Sequence, residues 1–350
     1  MKKILFPIFL LIAWSCSQNK ESNHIAQTPI VDSLEQTNNF YDNEPVLQLP
    51  MVQLVVDGEI ANPDTVDFSK LPIHSVIVKE ALLNADGTNK FIGAYRYDGY
   101  SLFDILNIVK IQKKNADVFP PIIDLYIEVS NDAGEKVVFS WGELYYPNNL
   151  HKIIIANAVM RIVPSKTKEQ WPLPETSKLV VGNDLLTERN ISNPTRITVR
   201  SLNASFKIDR EIKPLFSDKV KVLDVAGNET SLNIPKSLSP VTFNTIFYGR
   251  GRGIHSTTPF TGYCLKDILH SIYPLSKDKI QRGLFTVAAL DGYRMSVTYS
   301  ELFNRNDQQE FLLIDDPQNM EGGRYKLFPA CDFFSDRAIK ALNEIRFEIR

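Results

Sequence analysis

Gly99-Tyr100-Ser101-Leu102-Phe103-Asp104-Ile105-Leu106 returns 163 residues later as Gly262-Tyr263-Cys264-Leu265-Lys266-Asp267-Ile268-Leu269, with six of eight positions identical. In both copies the aliphatic residues fall at i, i+3 and i+4, one face of a short helix entered from a glycine turn. Two further matches follow in the same order. Gly134–Leu144 corresponds to Gly292–Leu302, each ending in Glu-Leu after an alternating stretch. Lys178-Leu179-Val180 and the run Asp184 to Arg189 correspond to Lys326-Leu327-Phe328 and the run Asp332 to Arg337, without a gap through Ile197 and Ile345. The offset falls from 163 to 158 to 148, which places an insertion late in the first copy, over Ser165 to Ser177. Chance supplies one such match but not three in one order. The chain therefore reads as a tandem duplication, 50–203 and 204–350. Each copy holds a complete set of core blocks and is expected to fold alone.

Outward from the repeated block, each copy has the same coarse order. Val52 to Val56 is a β-rich run ended by Asp57-Gly58, and Lys219 to Leu223 is followed by Asp224 and Gly227. A hairpin is predicted over Leu125–Ser130 and Lys136–Ser140, and again over Phe285–Leu290 and Arg294–Thr298. Apolar strands follow at Lys152–Ala156 and Phe311–Ile314, and closing strands at Arg196–Val199 and Glu344–Ile349. Strands outnumber helices without regular βα alternation, so the expected fold class is α+β, with mixed sheets and short helices.

That order of blocks resembles the molybdopterin-binding domain of the sulfite oxidase family. The carrying elements are the early Asp-Gly strand turn, Gly-Tyr-x-Leu-x-Asp-Ile-Leu, Asp291-Gly292-Tyr293, and Arg324-Tyr325-Lys326-Leu327-Phe328-Pro329 through Arg337 to Ile345. The resemblance implies two tandem domains of that type. It also implies a cysteine thiolate ligating molybdenum on the loop before the repeated helix, since molybdenum there takes a soft sulfur ligand. Neither corresponding segment, Lys79–Phe91 or Tyr248–Ser256, contains a cysteine. No catalytic residue is carried over and no cofactor is expected; a molybdopterin-dependent oxidoreductase stands as the alternative, and a structural partner of an outer-envelope complex as a second.

The chain begins as an address. Lys2 and Lys3 precede an eleven-residue apolar run, Ile4 to Trp14. As a helix it rises roughly 17 Å, too short for a ~30 Å hydrocarbon core, so residues 1–15 read as a signal peptide. Cys16 after a small residue resembles the lipidated cysteine of bacterial lipoproteins, with a plain secretory signal as the alternative. Ser17 in place of an aspartate suggests onward transport to an outer membrane. Residues 16–49, rich in Asn, Gln, Ser, Glu and Asp, read as a tether. The 39 basic and 41 acidic residues give a net charge of −2, which argues against a nucleic-acid partner. The expected partners are the bilayer and an anionic small molecule.

The most unusual segment is Tyr248-Gly249-Arg250-Gly251-Arg252-Gly253-Ile254-His255-Ser256. Its glycines free the backbone to form an anion nest, and its arginines suit bidentate recognition of phosphate or carboxylate. Arg250, Arg252 and His255 are the candidate ligand-binding residues; the alternative is a solvated turn. An extended backbone would aim both arginines to one side. Cys264 and Cys331 read as free buried thiols, with a disulfide as the alternative, and no metal site is expected. Asp104, Asp267, Glu143 and Glu301 recur, and read as helix caps and solvated faces rather than acid–base groups.

Overall fold

The computed structural model describes residues 44–202, 205–307, 310–320 and 322–350. Cys16, the signal peptide, most of the tether and the expected boundary at 203/204 lie outside the described residues. Leu47–Gln48, placed by sequence in the tether, instead pairs with Val159 and Ala158 as a short strand.

The expectation of an α+β fold is not met. Among the described residues strands make up 40% and helices 12%, and the four larger sheets are arranged as a four-bladed, propeller-like ring. The repeated block does form helices, Leu102–Asn107 and Leu265–Leu269. With six and five residues they are corners between strands and cannot form a layer. The periodicity was real; its length was insufficient to build an α+β architecture such as the molybdopterin-binding domain was expected to supply.

One sheet of the first half runs Asp64–Thr65, Val55–Gly58, Arg196–Ser201, Leu125–Ser130, Lys136–Ser140. One sheet of the second runs Glu229–Ser231, Lys221–Leu223, Leu342–Ile349, Gly283–Ala289, Arg294–Thr298 in the same order. In each, the third strand is parallel to the second and antiparallel to the fourth. The other two large sheets also correspond. Ile153–Arg161 lies between Asn89–Ser101 and Lys178–Val181, as Phe311–Asp315 lies between Phe260–Cys264 and Tyr325–Pro329. The glycines of the repeated block have one physical cause. A Cβ on Gly99 would come within 2.2 Å of the Ile155 carbonyl oxygen, and one on Gly262 within 2.7 Å of the Leu313 carbonyl oxygen.

The segment expected to be a loop over Lys79–Phe91 belongs to a long hairpin, His74–Leu83 with Asn89–Ser101. The insertion packs on its own Trp171, whose indole N–H donates to the Ile162 carbonyl (3.0 Å) and whose ring meets Phe91 edge-on.

The first half has a core of its own, built on residues such as Leu54, Ile105, Phe139 and Val199, but the core of the second half extends across the junction. Phe119, Ile123, Tyr146 and Leu186 of the first half belong to the same apolar cluster as Val222, Phe285, Phe311 and Phe347 of the second. Backbone bridges cross in matching pairs, Pro147 with Asp332 and Asp184 with Arg305. The Leu185 amide donates to the Asn304 carbonyl, and the Phe333 amide to the Tyr146 carbonyl, both at 2.7 Å. The four first-half side chains of that cluster would lose their packing partners in an isolated half.

At the junction, each half contributes a buried arginine clamped by two acids. Arg189 holds Asp184 (2.8 and 2.6 Å) and Glu143 (3.0 and 2.5 Å). Arg337 holds Asp332 (2.7 and 2.6 Å) and Glu301 (2.6 Å). The carboxylates also cross between halves: Ser140 Oγ donates to Glu301 Oε2 (2.6 Å) and Thr298 Oγ1 to Glu143 Oε2 (3.1 Å). Glu143 and Glu301 are therefore buried cross-links, not solvated faces, although both also sit in helix first turns.

Candidate functional site: a cationic cleft in the second half

The Gly-Arg segment is a β-hairpin, Phe247–Gly249 paired with Gly253–Ser256, and Arg250-Gly251-Arg252 is its turn. The expected extended geometry is corrected: the arginines sit on a turn, and Gly253 closes it with φ +74°, a conformation that favours glycine. His255 folds back on Gly249, where a Cβ would lie 2.5 Å from its Nε2. Its ring packs beside Phe247, centroids 5.0 Å apart.

The hairpin roofs a cleft of about 500 Å³. Arg250, Arg252 and His255 all line it, so the three sequence-predicted residues are brought together. Its apolar wall is Phe247, Phe260 and Phe328, with Phe260 and Phe328 stacked at 4.1 Å. Tyr293, Asp336, Lys326 and Lys340 complete the polar side. The Tyr293 hydroxyl donates to the Asp336 carbonyl (2.7 Å), which ties the Asp-Gly-Tyr turn to the segment before Arg337.

The charge balance in the cleft is positive. Asp291 is engaged by Arg210 (2.9 Å), and Asp336 meets Arg250 only at 3.6 Å. Arg252, Lys326 and Lys340 have no ion pair among the described residues. Burial pushes the Lys326 ammonium pKa down, Asp316 opposes this, and Lys340 pushes it down further. A bound anion would relieve that like-charge crowding. Asp336 Oδ2 is buried without a hydrogen-bond partner, an acceptor available to a ligand N–H or O–H.

The sequence-implied soft ligand has no place here. Neither Cys264 nor Cys331 lines the cleft; both are free, and Cys331 is buried, which drives its thiol pKa well up. Molybdenum–thiolate ligation does not fit these residues. Reading the sequence missed Lys326, Lys340 and Asp336. The available signal was the strand Tyr-Lys-Leu-Phe, where half-buried Lys326 sits between Tyr325, packed against the core, and buried Leu327.

No protein-family model and no curated protein matches this chain.

Proposed function

We propose that the protein is a non-catalytic binding module that takes an anionic small molecule in the second-half cleft, held in the cell envelope by lipid on Cys16. The observation that carries this reading is the convergence of Arg250, Arg252, Lys326 and Lys340 on one cleft with an aromatic wall. Guanidinium groups recognise phosphate or carboxylate through paired N–H donors, while the phenyl rings suit a flat apolar body. The combination favours a phosphate- or carboxylate-bearing heterocycle over a bare inorganic ion. No helix among the described residues is long and apolar enough to cross a membrane, so membrane attachment in this reading rests on the lipid. A single acyl chain binds reversibly, so stable attachment takes more than one.

The test is calorimetry of the chain from residue 16 onward against phosphate-bearing pterins, nucleotides and dicarboxylates. At least one class should bind. Arg250→Ala with Arg252→Ala should weaken it roughly a hundredfold or more, since charge-assisted hydrogen bonds contribute about 1.5–3 kcal/mol each. Fold stability should change little, because Arg250 is largely exposed. Binding by none of the three classes, or equal binding by the double variant, would sink the reading. The anchor is tested separately: Cys16→Ser should move the protein from the detergent phase to the soluble fraction.

A further inference from the structure

The first half carries a second cluster, remote in kind from the cleft. His74 opens the strand His74–Leu83, Asp104 sits in the first turn of Leu102–Asn107, and His151 lies in the turn before Ile153–Arg161. His74 Nε2 is 2.7 Å from Asp104 Oδ2, and His151 Nδ1 is 3.5 Å from the same oxygen. The two imidazoles stack face to face, centroids 3.8 Å apart and planes 5° from parallel. Ser101 caps the helix and its hydroxyl donates to Asp104 Oδ2 (2.6 Å). No Lys or Arg pairs with Asp104 among the described residues.

We propose that His74, Asp104 and His151 form a binding site for one divalent transition metal of the zinc class, open to solvent at its remaining position. One donor atom from each lies within 4.8 Å of the others. Two imidazole nitrogens and one carboxylate oxygen are a borderline-soft donor set suited to zinc. Three protein ligands leave a fourth tetrahedral position for water or an exogenous donor. Side-chain exposures of 23%, 16% and 36% leave a path for the ion. The Ser101 hydroxyl supplies the outer hydrogen bond that orients a ligating carboxylate. A metal would take the place of the hydrogen bond between His74 Nε2 and Asp104 Oδ2, with small rotations spreading the donors around it.

The duplication provides an internal control. His74 pairs with Gly99 across its hairpin, and Val241 pairs with the equivalent Gly262. The second half therefore keeps the aspartate, as Asp267, and has valine where the first half has His74. By the offset of 158, His151 corresponds to Gln309, outside the described residues. What both copies share, an aspartate in the first turn of the helix, is explained by its favourable place at a helix N-terminus. The histidines belong to the first copy alone and need another reason.

The experiment uses the chain from residue 16 onward, stripped with a chelator. Zn²⁺ binding is read by competition with a chromophoric chelator, and Co²⁺ by visible absorption. One equivalent should bind saturably, and Co²⁺ should give the ligand-field bands of a four-coordinate nitrogen–oxygen site. His74→Gln and His151→Gln should each weaken Zn²⁺ by more than the roughly 10–100-fold that loss of an outer partner costs. Ser101→Ala should fall within that range, and Asp267→Asn should bind as the parent does. Parent protein that binds no equivalent, or binds equally well when both histidines are replaced, overturns the site. Should the histidine variants fail to fold, the Co²⁺ spectrum of the parent decides: absence of those bands is the negative result. Anion binding in the cleft is independent of either outcome.

Discussion

Arg189 and Arg337 are the most exacting residues in the molecule. Each side chain is at most 1% exposed, and each lies over an aromatic face, Arg189 at 4.5 Å from Phe139 and Arg337 at 5.2 Å from Phe311. A buried ion pair offers limited net stabilisation, but removing one partner strands the other in a low-dielectric interior. Here removal of the arginine strands two carboxylates. Arg189→Met and Arg337→Met should each cost about 3–5 kcal/mol, read as a lowered urea midpoint with an unchanged slope. Equal stability of parent and variants would show that the acids are protonated rather than paired. Gly142 belongs to the same device, because a Cβ there would lie 2.4 Å from Arg337 Cδ of the other half. The recurrence of Asp-x-x-x-x-Arg was legible in the sequence. The third member was not, because Glu143 reaches Arg189 across 46 residues and no local pattern joins them. Arg250, Arg252 and His255 were legible because the cleft's roof is one continuous segment; its lysines come from other strands.

At the scale of elements, the two hairpin-to-helix corners do the same job with different hydrogen bonding. Ser140 and Thr298 each cap a five-residue helix and each reaches toward the other half's glutamate. Glu301 additionally accepts from the Thr298 amide (2.8 Å), a full capping box. Burial pushes Glu143 up, and Arg189 does not fully offset it. Burial pushes Glu301 up as well, but Arg337, Ser140 and the Thr298 amide together hold it below its ordinary value. The linkage signs are opposite. Glu301, depressed in the folded protein, contributes stability that is present above its ordinary value near 4.5 and lost as pH falls through the folded value. Glu143, raised, contributes stability that is present below 4.5 and lost as pH rises through the folded value. Parent stability minus that of Glu301→Gln should therefore grow as pH rises toward 4.5, and parent minus Glu143→Gln should shrink as pH rises beyond it. Denaturant titrations across pH 3.5–6.5 measure both (about one unit below and two above the ordinary value); parallel curves would refute the asymmetry. The corners themselves were readable from turn glycines and i, i+3, i+4 spacing. The fold class was not, since a six-residue periodic run predicts the existence of a helix and says nothing about whether helices form a layer. The long hairpin from His74 to Ser101 was missed although its pairing is local, across the turn that carries Asp86-Gly87; its second strand also pairs with Ile153–Arg161, more than fifty residues away.

On the scale of the whole molecule, duplication has produced two halves that meet as near-equivalents. Ser140 faces Glu301 as Thr298 faces Glu143, and the bridge at Pro147 and Asp332 has its counterpart at Asp184 and Arg305. This is the logic of an isologous interface carried within one chain. One of the cores runs across the contact. Ser296 Oγ of the second half donates to the Leu125 carbonyl of the first (2.7 Å), and Arg294 reaches Asp124 (3.1 Å), with all four residues buried. Cutting between the halves would expose Phe119, Ile123, Tyr146 and Leu186 on one side and leave their packing partners unfilled on the other. It would also leave Asp124 with Lys113 alone, and Glu143 and Glu301 without their cross-half hydroxyl donors. Losses of several kcal/mol at each such site are comparable to the entire stability of a domain, roughly 5–15 kcal/mol. Residues 50–202 and 205–350 expressed separately should therefore lack a cooperative thermal transition and bind a hydrophobic dye, as expected of compact states without fixed packing. Mixed or co-expressed, they should associate one to one and recover a single transition. Two halves that each melt cooperatively when alone would show that the junction is dispensable and that the sequence's implied pair of autonomous units was the better description.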